Sequence, residues 1–123
     1  MSEKAQIDYL KALIAGFGGE YNIVSSKKMT YHDFIFHGVN VADNGQKVVI
    51  TNDNGDMIEF NKNENGTSVT YRPAYGGEKH VADIPTKRVE LLQHRGPVKR
   101  EGRETIDDIT EIFIVSPCRC DEK

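Results

Sequence analysis

The chain is short of the features that usually announce a function. Only two cysteines occur in 123 residues, Cys118 and Cys120, close together near the C-terminus. A bridge between them would close a tiny loop and add little stability, so the fold is not stapled by disulfides. Zinc would need a second ligand pair, and His32, His37, His80 and His94 show no metal-site spacing with the two thiols. Calcium fails on spacing too: the run Asn61–Gly66 carries Asn where carboxylates belong, and Arg72 stands where a bidentate Glu is needed. No metal or cofactor is expected. The chain also has no uninterrupted apolar run at its N-terminus, where Glu3, Lys4, Asp8 and Lys11 interrupt the hydrophobic residues, so a cytoplasmic protein without a membrane span is expected.

Excess positive charge is missing as well. Sixteen Lys and Arg against nineteen Asp and Glu give a formal net charge of −3, which argues against a dedicated duplex DNA binder. Catalytic motifs are missing: there is no G-x-S-x-G, H-E-x-x-H or Walker-type loop. Ser25-Ser26-Lys27-Lys28 has a Ser-x-x-Lys spacing without companion motifs, and His32 and Asp33 would face opposite ways along a strand. An enzyme is therefore not expected.

What the chain does have is a pattern of turns. Asn44-Gly45, Asn54-Gly55 and Asn65-Gly66 recur about ten residues apart with alternating apolar residues between them. Asn-Gly suits the two central positions of a type I′ turn, so an antiparallel β-meander is predicted. Strands are expected over 31–42, 47–52, 57–60 and 67–72. Val48, Ile50, Ile58, Phe60, Val69 and Tyr71 would share one face. The first strand is expected to be buried on both faces or bulged near Gly38. A loop follows over 73–86, then Arg88–Leu92 as a strand or a helical turn, and a strand over 109–115. Ahead of these, Ile7, Leu10, Ile14 and Phe17 recur at three- and four-residue steps and predict an amphipathic helix over 3–15. Gly16, Gly18 and Gly19 would end it.

The fold class is thus α+β: an N-terminal amphipathic helix on a twisted antiparallel β-meander of five to six strands, able to curl into a small open barrel. This order resembles Sm-like and SH3-like barrels in architecture alone, without a motif of either family. One globular domain spans 1–117, with a frayed tail over 118–123.

For function, the polar connection 93–108 stands out. Arg95, Lys99, Arg100 and Arg103 lie within nine residues of an otherwise acidic chain. Guanidinium groups match phosphate oxygens bidentately, and Gly96 and Gly102 let backbone approach an anion. Lys79, His80, Lys87 and Arg88 would join this patch if the loops converge. Tyr71 or Tyr75, with Phe60 nearby, would offer a ring on which a base stacks. The expectation is a non-catalytic protein that captures a small phosphate-bearing, nucleotide-like ligand. The alternative is an inhibitor or immunity-type protein that blocks a macromolecular partner through acidic turns. On that reading Asp53, Asp56 and Glu59, with Asp43 and Glu64, would cluster along one end of the meander. An exposed sheet edge would also favour a homo-oligomer.

Overall fold

A computed structural model describes residues 3–94, 98–99, 105–106 and 109–117. Helix α1 runs over Glu3–Gly16. Its three-and-four spacing puts Leu10, Ile14 and, just beyond its end, Phe17 into the core. The helix stops as its glycines predict. Gly18 takes a φ of 78°, its amide bonds the Ala15 carbonyl at 3.1 Å, and the Gly19 amide reaches back to Ile14 at 2.9 Å. That pair of bonds is a Schellman cap, which satisfies carbonyls the last turn would leave unpaired.

Strands follow in the order β1 (Glu20–Ser25), β2 (Met29–His37), β3 (Asn40–Asp43), β4 (Lys47–Thr51), β5 (Met57–Asn63), β6 (Gly66–Arg72), β7 (Lys79–Ile84), β8 (Val89–His94), β9 (Val98–Lys99), β10 (Thr105–Ile106) and β11 (Ile109–Pro117). They do not form one curled sheet. β3 to β7 make a five-stranded meander, while β1, β2, β11 and β8 make a separate four-stranded sheet in that order. All pairings are antiparallel, and β9 pairs with β10 as a small ribbon. No closed barrel forms among the described strands.

The expected apolar face of the meander is present. Register sets Val48 opposite Phe60, Ile50 opposite Ile58 and Phe60 opposite Val69. All five residues are buried in one cluster with Leu10 and Ile14 from the helix and Phe34, Phe36, Ile112 and Ile114 from the other sheet. The strand expected over 31–42 is two strands: Phe34, Ile35 and Phe36 are buried on both faces, but at Gly38, with a φ of 63°, the chain leaves β2 in one sheet to enter β3 in the other.

The turns differ from expectation in a consistent way. In none of the three are Asn and Gly the two central residues. Asn44 bonds Lys47, so Gly45-Gln46 is the loop; Asn63 pairs with Gly66, so Glu64-Asn65 is the loop; and Asp53-Asn54-Gly55 is a three-residue loop between Asn52 and Asp56. The reason is the asparagine just before each loop. The Oδ1 atoms of Asn44, Asn52 and Asn63 each accept a backbone amide two residues on, an Asx turn that fixes the corner while glycine supplies positive φ.

Strand β7 lies where a loop was expected. A register shift between Val69 and Thr70 turns both Val81 and Ala82 inward, which erases the period-2 pattern that marks a strand.

Gly66 is the most constrained of the turn glycines. Its φ is 144°, and a Cβ there would run into the Ile84 carbonyl oxygen and the Thr86 amide. Gly45 also has positive φ but faces open space. Gly45→Ala should cost about 1 kcal/mol from backbone strain, and Gly66→Ala should cost roughly 2 kcal/mol more because backbone must move. Urea unfolding of the two variants checks the difference; equal losses would contradict it.

Candidate functional site

The basic segment is an insertion between two neighbouring strands. β8 and β11 pair directly, and their last pair is His94 with Ile109. A two-residue turn would close such a pair. The chain instead spends residues 95–108 there. Lys99 lies in β9, paired with Thr105 of β10, so positions 100–104 connect the two arms of a ribbon. Arg95, Arg100 and Arg103 fall outside the described residues, as do Cys118, Cys120 and the tail 118–123.

Connectivity shows what shares this end of the molecule. His37 is opposite Ile109, and two residues further on Asn40 opens β3 opposite Thr51. Thr51 pairs with Met57, and Met57 with Arg72. The root of the basic segment is thus at the same pole as the turns over 52–56 and 73–78. Tyr75 stands on the second of these and is 95% exposed. Tyr71 does not stand beside it as a free platform. Its ring faces inward and meets Phe17 edge-on at 6.4 Å, and Phe60 is fully buried. Burial, with smaller contributions from Asp56 and Tyr9, raises the Tyr71 pKa.

The proposed neighbours of the patch divide. Lys87 and Arg88 precede β8 and are separated from His94, the root of the basic segment, by its full length, roughly 17 Å. Arg88 instead lines an open groove of 380 Å³ at the opposite pole with Lys28, Met29, Val115 and Ser116. Lys79 and His80 begin β7 beside the 73–78 turn, where His80 Nε2 is 3.0 Å from Asp83 Oδ2.

The acidic group does not cluster at one end. Each hairpin reverses the chain, so successive turns of a meander alternate between poles. Asp43 and Glu64 sit at one pole, where the Lys62 amide bonds the Gln46 carbonyl, and Asp53 and Asp56 sit at the other. Two of the three proposed contact acids are already engaged. Asp56 accepts the Ala74 amide at 3.0 Å and the Asn52 side-chain amide at 3.3 Å. Glu59 is not on a turn at all: it lies mid-strand, only 6% exposed, with Arg72 Nη1 2.7 Å from its carboxylate. Arg72 also reaches Glu78 at 2.8 Å. This Glu59–Arg72–Glu78 bridge joins residues far apart in sequence, and nothing in local spacing reveals it.

A second polar network links Asn63 to Ser68, Ser68 to Asp83 and Asp83 to His80. Aspartate bridges serine and histidine here, so the imidazole does not touch the hydroxyl and the set is not a Ser-His-Asp triad. It edges an open groove of 650 Å³ lined by Asn63 to Ser68 and Asp83 to Pro85. Ser26 caps a turn, its Oγ accepting the Lys28 and Met29 amides. His32 and Asp33 occupy opposite faces of β2, and the Tyr21 hydroxyl is hydrogen-bonded to His32 Nδ1 at 3.0 Å. No helix among the described residues is long and apolar enough to cross a membrane. No protein family, curated protein or solved structure matches the chain.

Two outcomes follow from these groups. Arg72→Met leaves the Glu59 carboxylate buried without its cation and should cost about 1–3 kcal/mol, less than a fully buried pair because Arg72 is half exposed. Arg72→Met combined with Glu59→Met should recover most of that loss in urea unfolding; an additive double loss would contradict the pairing. Burial raises the Tyr21 phenol above its ordinary value. Unfolded tyrosine ionises near pH 10 while the folded phenol holds its proton, so this stabilisation is complete below pH 10 and falls as pH rises past it. Tyr21→Phe should therefore lose less stability than wild type between about pH 9 and 11. Equal losses would contradict the assignment.

Proposed function

We propose that the protein is a cytoplasmic, non-catalytic binder of a small phosphate-bearing ligand, nucleotide-like in class. The observation that carries this reading is the insertion itself. Where β8 and β11 need only a tight turn, residues 95–108 are present, and they hold Arg95, Lys99, Arg100 and Arg103. Long connections in compact domains are commonly functional, and arginine-rich ones suit phosphate. Tyr75, exposed at the same pole, is the ring available to stack on a base, and it replaces Tyr71 in that role. The overall charge of −3 favours a small anion over a long nucleic acid. Partner blocking through Asp53, Asp56 and Glu59 has less support, since Asp56 and Glu59 are held by intramolecular bonds.

Thermal unfolding against nucleotides, cyclic nucleotides, short oligonucleotides and inorganic phosphate tests the proposal. A ligand present at about a hundred times its Kd adds about 2.7 kcal/mol, which moves the midpoint by several degrees. The expected result is a selective upward shift that Arg100→Ala abolishes without changing the midpoint of the free protein. A flat response across the panel, or a shift indifferent to Arg100→Ala, would overturn it.

A further inference from the structure

Four strands form the outer edges of the two sheets: β1 and β8 in one, β3 and β7 in the other. Three are guarded. β3 is four residues long and ends in Asp43, β8 exposes Glu90, and the Gln6 side chain of α1 accepts the Asp83 amide of β7 at 3.4 Å. Charge, shortness and a covering helix are the usual devices that keep an edge from pairing with another chain.

β1 carries no charged residue along Tyr21-Asn22-Ile23-Val24-Ser25, and α1 reaches its start, where Lys11 Nζ lies 5.8 Å from the centre of the Tyr21 ring. Ile23 is 45% exposed and Val24 is 59% exposed, on opposite faces of the strand. The Ser26 amide bonds the Met29 carbonyl at 2.8 Å, and pairing continues from there through Ser25 with Thr30 to Glu20 with Ile35. Hydrogen-bonded pairs alternate along an antiparallel ladder, so Val24, Asn22 and Glu20 turn their backbone groups toward β2. Tyr21, Ile23 and Ser25 turn theirs outward, where β1 has no neighbouring strand among the described residues.

We propose that β1 pairs antiparallel with β1 of a second copy of this chain, about a two-fold axis through Val24. A two-fold axis must pass through the centre of a residue pair. With the axis at Val24, Ile23 of each copy exchanges hydrogen bonds with Ser25 of the other, as the outward-facing groups require. The same register brings Glu20 of each copy against the Lys27-Lys28 turn of the other, so opposite charges meet at both ends. The two Val24 side chains cover each other, and two four-stranded sheets become one continuous sheet.

The test uses the full chain with Cys118→Ser and Cys120→Ser, so that no native thiol contributes. Val24→Cys in this background should cross-link to a dimer on mild oxidation, because a non-hydrogen-bonded pair sets its Cα atoms about 4.5 Å apart. Tyr31→Cys, one strand inward, should not. Sedimentation velocity should show a wild-type dimer that Val24→Lys converts to a monomer with an unchanged far-ultraviolet spectrum. Glu20→Lys should weaken dimerisation about tenfold, and adding Lys27→Glu and Lys28→Glu to the same chain should restore it. A wild-type monomer up to millimolar concentration, a dimer indifferent to Val24→Lys, or a failure of Val24→Cys to cross-link would each overturn the proposal.

Discussion

The inner face of β2 is the constraint on which the rest of the structure depends. Phe34 and Phe36 are both fully buried, and each connects layers that otherwise share no hydrogen-bonded strand pair. Phe34 meets Tyr21 of its own sheet at 4.9 Å and Phe60 of the meander at 5.5 Å. Phe36 meets Phe17 beyond the helix at 6.2 Å, and Phe17 in turn meets Tyr71. Two runs of rings thus join the sheets, one directly through Phe34 and Phe60 and one past the helix end through Phe36, Phe17 and Tyr71. Each such pair adds about 0.5–1.5 kcal/mol beyond the area it buries, so the rings hold the layers in register as well as together. The glycine caps serve the same junction: Gly19 lies against the Ile35 carbonyl oxygen, a closeness that no side chain would permit.

Local pattern made much of this legible before the structure. The helix showed through the spacing of Ile7, Leu10, Ile14 and Phe17, and its end through Gly18. The meander showed through alternation between Asn-Gly turns, because a half-buried antiparallel strand must alternate. What stayed hidden was non-local or non-periodic. β7 escaped because its bulge buries two consecutive residues, Val81 and Ala82. The division into two sheets escaped because β11 inserts between β2 and β8, a choice of neighbour that no short window encodes. Two turn centres were misplaced by one residue and the third was a residue longer than expected, because the amides that shape each corner are accepted by the asparagine just before the loop, Asn44, Asn52 or Asn63.

Charge was harder to read than hydrophobicity. Residue type alone does not separate a carboxylate that waits for a partner from one already used by its own chain. Asp43, Asp56 and Glu59 all looked available as sequence, yet the first caps Gly45, the second ties two turns together and the third is buried under Arg72. Aromatics divided in the same way. Tyr71 belongs to the second run of rings, whereas Tyr75, four residues later and past a proline, stands clear of it. The basic segment is different in kind: it stands between two strands that already pair, so closing that pair does not require its length.

Stability thus rests on the rings around β2, while the proposed ligand capture belongs to the pole that holds the His94–Ile109 root of the basic segment and the Tyr75 turn. Amide chemical-shift mapping by NMR, titrating inorganic phosphate and then a nucleotide into the labelled protein, tests this division most directly. The account predicts shifts concentrated in residues 94–108 and 73–78, fading as salt is raised, with the amides of β4 to β6 unmoved. Shifts centred on the opposite pole, around Lys28, Arg88 and the turn at Glu64-Asn65, or no saturable shifts at all, would contradict it.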